Sequence, residues 1–446
     1  MKTYYSTVAW VDEYCRKIAP YIHVREADSL LIKVPNQAFK LNPQGLKVLK
    51  YLLGGGRVHD IVDRYEDKEG VSRDIHYFFT DLLAFMKGCY RENQKRVAVD
   101  AVPFTLPYNT LPVLSELAIT YRCNLKCRFC YAACGCRKQD ESPDLPPEKL
   151  KTVLDIIRRE AEVPSVSFTG GEPTLRNDLP QLVRHAKSLE MWVNLISNGT
   201  LVTAGLAKKL RAAGLDSAQI SVEGGSAELH DRIVACPGAF ERTLAGIKNL
   251  REAGIRVHTN TTVSGLNKAH LAGIAGLVKK LGLGRFSMNM LMPVGSATAE
   301  MDRLFVSYSE IGGLVLGVRR EAEKLGLEFM WYSPTPMCIF NPVAHGLGNK
   351  GCAACDGLLS VAPNGDILPC SSYPKPMGNL LANENGFRRL WESAEFRHFQ
   401  TKSFAHELCH SCEHLAVCNG GCPLYWEKAG YDELLARNSE EYGKHG

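Results

Sequence analysis

The apolar residues of this chain follow three rhythms in succession. Up to about residue 95 they form short runs and then helical stripes. His23–Arg25, Leu30–Val34 and Ala38–Leu41 are brief runs separated by turn-forming Ala27–Asp28 and Pro35–Asn36, the pattern of three short strands. Asn42–Pro43 then opens a predicted helix carrying Leu46, Val48, Leu49 and Leu52 and stopped by Gly54–Gly56. A second helix is predicted near Val58–Tyr65. A third, near Arg73–Met86, places Ile75, Phe78, Phe79, Leu82, Leu83 and Met86 at helical spacing. Three strands and three helices suit a winged-helix-like α+β domain over 1–98. Prolines scattered among apolar residues mark 99–112 as a linker.

From 113 to 332 extended runs alternate with amphipathic helices. The strand-like runs are Glu116–Tyr121, Val166–Thr169, Val193–Ser197, Gln219–Glu223, Val257–Val263 and Phe286–Met292. Between the first two lies Pro147–Glu160, where Leu150, Val153, Leu154 and Ile157 make one apolar stripe behind a proline suited to a helix start. Gly214, Gly254 and Gly282 stand where helices end. Repeated βα units predict a parallel sheet with right-handed crossovers, here a partial (βα)6 barrel in an α/β fold. The third stretch, 333–446, loses this regularity. Its clearest feature is Pro363–Asn364–Gly365–Asp366 between Leu358–Val361 and Ile367–Pro369, a hairpin signal.

Composition narrows the class. Hydrophobic residues make up 45% of the 446, which excludes a mainly disordered chain. Fifty-three Lys and Arg against 48 Asp and Glu give a net charge of +5, without the basic clusters of a nucleic-acid binder. No apolar run approaches a membrane span and the start lacks a secretory segment, so a cytoplasmic protein with no nucleic-acid or membrane partner is expected. The 16 cysteines change the picture most. Thirteen of them fall between Cys123 and Cys136 or between Cys338 and Cys422, often two or three residues apart. In a chain expected inside the cell, such clustering reads as iron–sulfur or zinc ligation, not as a disulfide framework.

The end of the first barrel strand reads Cys123-Asn-Leu-Lys-Cys127-Arg-Phe-Cys130-Tyr131. Three thiolates on one loop can hold three irons of a four-iron cluster and leave the fourth open. A structural zinc site would need a fourth ligand and usually two CxxC pairs. The motif resembles that of the radical S-adenosylmethionine (radical SAM) superfamily. The resemblance implies that the open iron chelates the cofactor's methionine and that one electron breaks a C–S bond, giving a 5′-deoxyadenosyl radical. Gly170-Gly171-Glu172-Pro173 matches the family's GGEP segment for the methionine amino group, with Glu172 expected near the ammonium. Ser197-Asn198 and Ser221-Val222-Glu223 resemble its ribose-contacting segments, although Glu223 stands where Asp is common. His230–Ala235 resembles an HDxxRG run with Val234 in place of arginine. The resemblance spans about 115–330.

Cys355-x9-Gly365-x4-Cys370 and Cys409-x2-Cys412-x5-Cys418-x3-Cys422 closely resemble the SPASM extension of such enzymes. That resemblance implies two auxiliary clusters, hence three 4Fe–4S clusters in all. Cys355, Cys370, Cys422 and an upstream cysteine (Cys352, or less favourably Cys338) would hold one, and Cys409, Cys412 and Cys418 the other. No cysteine follows Cys422, where the family pattern has a seventh. The second cluster therefore has an open iron, a ligand such as Asp432 or Glu441, or a cysteine borrowed from Cys338 or Cys352. Zinc is the alternative for the last four cysteines. Cys134 and Cys136 belong to no motif: exposed thiols there could donate hydrogen or relay electrons, and packing is the ordinary reading. Cys15, Cys89 and Cys236 read as small buried hydrophobes.

The first module resembles PqqD-like peptide-recognition domains attached to enzymes that modify ribosomal peptides. In those, a leader peptide adds a strand to a sheet edge, here expected at Leu30–Leu41 with helix Arg73–Met86 beside it. The combined resemblance implies a peptide maturase that forms an oxidative crosslink, fed by an external one-electron reductant of flavodoxin or ferredoxin type. Two alternatives stay open. One is a tetrapyrrole or other small-molecule substrate, to which the run Met290–Gly295 lends some weight. The other is a non-catalytic electron carrier or peptide scaffold.

Overall fold

The computed structural model describes residues 3–87, 106, 109–134, 144–382 and 386–442. Cys89, Cys136, the Glu441 side chain and most of the expected linker lie outside them. The chain divides into two compact units, Met1–Val113 and Leu114–Gly446.

The first unit holds an antiparallel sheet of β1 (Ile22–Arg25), β2 (Leu30–Lys33) and β3 (Gln37–Lys40), in that order. Five helices accompany it: α1 (Thr3–Val8), α2 (Val11–Ile18), α3 (Pro43–Leu53), α4 (Val58–Val62) and α5 (Lys68–Lys87). The first two are additional to the three expected, yet Val8, Val11, Cys15 and Ile18 recur at three- and four-residue spacing and are all buried. Cys15 is thus a core residue. The Asn42 side chain caps α3 by accepting from Gly45 N at 2.7 Å, with Pro43 at the first helical position. Residues from the end of the expected linker are bound to this unit. The fully buried Arg25 guanidinium pairs with Asp28 and donates to the carbonyl oxygens of Leu111 and Pro112. Val113 joins Leu30 and Ile32 in a small apolar cluster.

The second unit is built on one mostly parallel sheet. Strands β4 (Leu114–Thr120), β5 (Ser165–Gly170), β6 (Trp192–Ser197), β7 (Ser217–Ser221), β8 (Arg256–Val263), β9 (Arg285–Met290) and β10 (Glu328–Trp331) lie side by side in sequence order, every pair parallel. The connecting helices include α6 (Pro147–Arg159), α7 (Leu179–Ser188), α8 (Ala204–Ala213), α9 (Ala227–Val234), α10 (Ala239–Glu252) and α11 (Ala272–Lys280). All four apolar positions of the α6 stripe are fully buried. Among the described residues, the stretch expected to form the barrel thus has seven parallel strands where the hydrophobic pattern gives six. The seventh, only four residues long, reads Glu-Phe-Met-Trp and offers little alternation to detect.

The sheet does not stop at β4. β11 (Leu358–Val361) pairs parallel with β4, and β12 (Asp366–Leu368) and β13 (Gly378–Asn379) extend it antiparallel. The expected Asn364–Gly365 turn joins β11 to β12, with Gly365 at φ +88°. This hairpin carries Cys355 and Cys370 at its two ends, so the cysteine-rich region is welded to the first barrel strand.

Candidate active site

A cavity of about 460 Å³ opens at the carboxyl ends of the parallel strands, the face where such folds place their chemistry. Cys123, Cys127 and Cys130 lie on its wall, as do Gly170, Gly171, Ser197, Asn198, Ser221 and Glu223. Glu172 and Pro173 are not on the wall.

The cysteine loop is held from three sides. Lys126 N and Arg128 N donate to the carbonyl oxygens of Val234 and Ile233 at the end of α9. Val234, which replaces the family's arginine, is buried beside Leu125 and Ala239, with Cys123, Cys127 and Cys236 against the same patch. Cys236 is half-buried and accepts from Arg242. From a second side, Ser296 N donates to Cys130 O, and a Cβ on Gly295 would fall 2.2 Å from Tyr131 O. The end of the Met290–Gly295 run therefore braces the cysteine loop. From the third side, Asn124 exchanges hydrogen bonds with Asn198 and Thr200.

The two glycines of the GGEP segment have a steric cause within the fold. Gly170 sits at φ +135°, and a Cβ there would lie 2.1 Å from Thr120 O. At Gly171 it would lie 2.3 Å from Arg122 O. The glycines let this turn run against the strand end that feeds the cysteine loop, with Gly171 N and Glu172 N donating to Thr120 O and Arg122 O. Glu172 lies just behind the cavity wall, close enough to Cys123 for its charge to act on the thiol. Fully buried, it accepts from Thr174 N, the Thr174 hydroxyl, Ser197 Oγ and Asn198 N, the last two at 2.8 Å each. Burial pushes its carboxyl up, against the pull of those four donors. Through the last two of these bonds it positions Ser197 and Asn198.

Glu223 does reach the cavity. Burial raises its carboxyl to about 8, opposed by one hydrogen bond from Thr262 N at 2.8 Å, so it is largely a neutral acid at pH 7. Its own amide donates to His230 Nδ1 at 3.1 Å, which leaves the hydrogen of that imidazole on Nε2. Burial lowers the His230 ring to about 4. Nε2 is buried, on a residue of the cavity wall, with no hydrogen-bond partner among the described residues. Cys134 is buried, not exposed. Its thiol and the amides of residues 132–134 donate to Cys130, which is drawn down to about 6. Burial instead raises Cys123, to about 11, and Cys127.

These residues fit a cluster with one ligand-free iron and a bound nucleoside. Three thiols share one wall, and a buried imidazole N–H and a neutral carboxyl face the same space without enough protein acceptors. Sequence reasoning missed Glu116, Asn260, Thr262 and Asn289, all on the wall. The signal was present as polar residues at inward positions of otherwise apolar strands. Glu116 accepts from Ser360 Oγ and Ser371 N, tying β4 to the hairpin beside Cys370.

The cysteine-rich region holds two groups of thiols. Electrostatic neighbours of Cys370 are Cys422 and Cys352; Cys355 and Cys422 also face Cys352. Cys409 and Cys418 face Cys412.

The sequence model of the Radical SAM superfamily matches residues 117–278, and that of an iron–sulfur cluster-binding domain, SPASM, matches 352–413. The AdoMet-dependent heme synthase of Methanosarcina barkeri is 31% identical over 332 residues, 69% of this chain and 90% of that protein. The PqqA peptide cyclase of Rhizobium meliloti is 30% identical over 325 residues, 71% of this chain and 84% of the cyclase. Among solved structures, Streptococcus suis SuiB bound to precursor peptide SuiA aligns with a TM-score of 0.65 at 16% identity, covering 92% of this chain and 95% of SuiB.

Proposed function

We propose, from the premise that the chain belongs to the radical SAM superfamily and carries a C-terminal SPASM domain, that it matures a ribosomally made precursor peptide by forming an oxidative crosslink of thioether or carbon–carbon type. Its cofactors are those of the two domains: a 4Fe–4S cluster with S-adenosylmethionine, and auxiliary iron–sulfur clusters. Bound at the cavity, the cluster and S-adenosylmethionine supply a 5′-deoxyadenosyl radical that removes hydrogen from substrate. Cys123, Cys127 and Cys130 would hold that cluster. Glu172 fixes Ser197 and Asn198 from behind. The neutral Glu223 carboxyl and His230 Nε2–H offer hydrogen bonds to a nucleoside, and the buried strand ends exclude water.

The observation that carries the peptide reading is the first unit, which lies outside both matched stretches. Its β3 is an edge strand, and between α3 and α5 runs a pocket lined by Val48, Ile75, Tyr77 and Phe78. An edge strand in the same unit as this pocket, whose wall also carries Asn42, Gln44 and Asp74, suits strand addition by a leader, as in PqqD-like domains. The edge is β3, not the whole of Leu30–Leu41, because β2 is paired on both sides. Leu41 N donates to Ser29 O, so the alternation of the ladder turns the Ala38 N–H outward.

Titration of a labelled leader, taken from a short peptide encoded beside the gene, tests this reading. Ala38→Pro removes an outward donor without touching the β2–β3 ladder. It should weaken the leader about tenfold or more and leave uncoupled cleavage of S-adenosylmethionine unchanged. Equal affinity would favour the second reading, a tetrapyrrole substrate, to which the identity with a heme synthase lends support.

A further inference from the structure

The SPASM pattern of this chain ends one cysteine short, since none follows Cys422. We propose that Cys338 supplies the missing thiolate and completes the second auxiliary site with Cys409, Cys412 and Cys418, while Cys352 completes the first with Cys355, Cys370 and Cys422. The proposal rests on the three-cluster reading above. Cys338 lies upstream of the stretch that the SPASM sequence model matches, and the fold decides between it and Cys352, which the sequence left open.

Three observations bring it there. Met337 N donates to Cys418 Sγ at 3.2 Å, so the chain immediately before Cys338 is hydrogen-bonded to one of the three sulfurs. Pro336 packs on the turn after Cys418, where a Cβ on Gly421 would lie 3.0 Å from the proline ring. The thiol of Cys338 has as its electrostatic neighbours the sulfurs of Cys418, Cys409 and Cys412. The members of the other group face one another instead, around Cys352.

The position of Cys338 is a built one. Ile339 N and Phe340 N donate to Pro336 O, closing a single turn around the cysteine. Buried Phe340 anchors that turn, packing where Gly312 leaves room on the helix Tyr308–Lys324. Two further side chains of this region are already engaged: Glu433 accepts from Tyr425 and from Ser309 N. His406 accepts from Leu408 N and packs on Tyr431. Four thiolates on one cluster leave no iron open. The second site is thereby suited to electron transfer and not to binding substrate.

The test compares full-length native protein with Cys338→Ala and Cys338→Ser, reconstituted anaerobically. Iron, sulfide and the electron paramagnetic resonance of the reduced clusters are read for each. About twelve irons per chain are expected in the native protein; Cys338→Ala should either fall to about eight or keep the cluster on three thiolates with an altered signal, and Cys338→Ser should keep it with an altered signal. A separate arm treats cluster-free protein with a short thiol cross-linker and maps the products by mass spectrometry. Joining of Cys338 to Cys418 is expected, and it decides the matter if Cys338→Ala fails to fold. Native protein with twelve irons and a Cys338→Ala protein with the same content and signal would overturn the proposal. Native protein with only about eight irons would overturn the three-cluster reading and the proposal with it.

Discussion

Glu172 illustrates how a residue can matter to a site it does not touch. Its two carboxylate oxygens take four donors, two of them from the Ser197–Asn198 segment on the cavity wall. Glu172→Gln keeps the shape but turns one accepting oxygen into a donor facing donors, an unsatisfied pair worth about 1–3 kcal/mol. The expected outcome is S-adenosylmethionine bound about tenfold more weakly with iron content unchanged, measured by calorimetry and metal analysis. Loss of iron instead would place Glu172 in cluster assembly. His258 gives a second prediction, away from the cysteines. Burial lowers its ring to about 4 from an ordinary 6.5. The unfolded chain therefore takes up the proton first, and stability falls as pH drops through 6.5 toward 4. His258→Gln should flatten that part of the stability curve in chemical denaturation at stepped pH. An unchanged slope would mean that the ring is solvated in solution.

At the scale of elements, two backbone positions make opposite predictions. Gly170 holds a conformation and a contact that no side chain fits, so Gly170→Ala should cost roughly 2–4 kcal/mol and displace the cysteine loop. Ala235 ends α9 in the left-handed region at φ +50°, where the family run has glycine. Ala235→Gly should stabilise the second unit by about 1 kcal/mol, provided the added freedom of the unfolded chain does not cancel the relief. Denaturant midpoints of the two variants should move in opposite directions. The same positions show what the sequence could and could not say. The glycines were visible as a motif, but their cause, a strand end approaching from about 50 residues upstream, is a property of the assembled sheet. Leu150, Val153, Leu154 and Ile157 were legible because a helix writes its buried face locally. β10 and α1 were not read, one too short and the other followed closely by a break at Ala9–Trp10. A motif fixes chain position but not side-chain contacts, so the hold of Glu172 on Ser197 and Asn198 is visible only in the folded chain.

At the scale of the molecule, the second unit unites the barrel and the cysteine-rich region in one sheet. β11 continues β4 sideways, and Glu116 links the first barrel strand to Ser360 and to Ser371 beside Cys370. Cys422 meets Met292 of the cavity wall at 3.5 Å, sulfur to sulfur. The cysteine loop at the cavity and the thiols around Cys352 are therefore attached to one sheet. The account depends first on the open cavity at Cys123, Cys127 and Cys130 being the place where S-adenosylmethionine is cleaved. The most direct measurement is 5′-deoxyadenosine formed under dithionite by native protein and by a Cys123→Ala/Cys127→Ala/Cys130→Ala variant, each with its iron content. The account predicts steady formation by the native protein and none by the variant, which should still hold about eight irons. A variant that goes on forming 5′-deoxyadenosine would contradict it, because the open iron would then lie at another site.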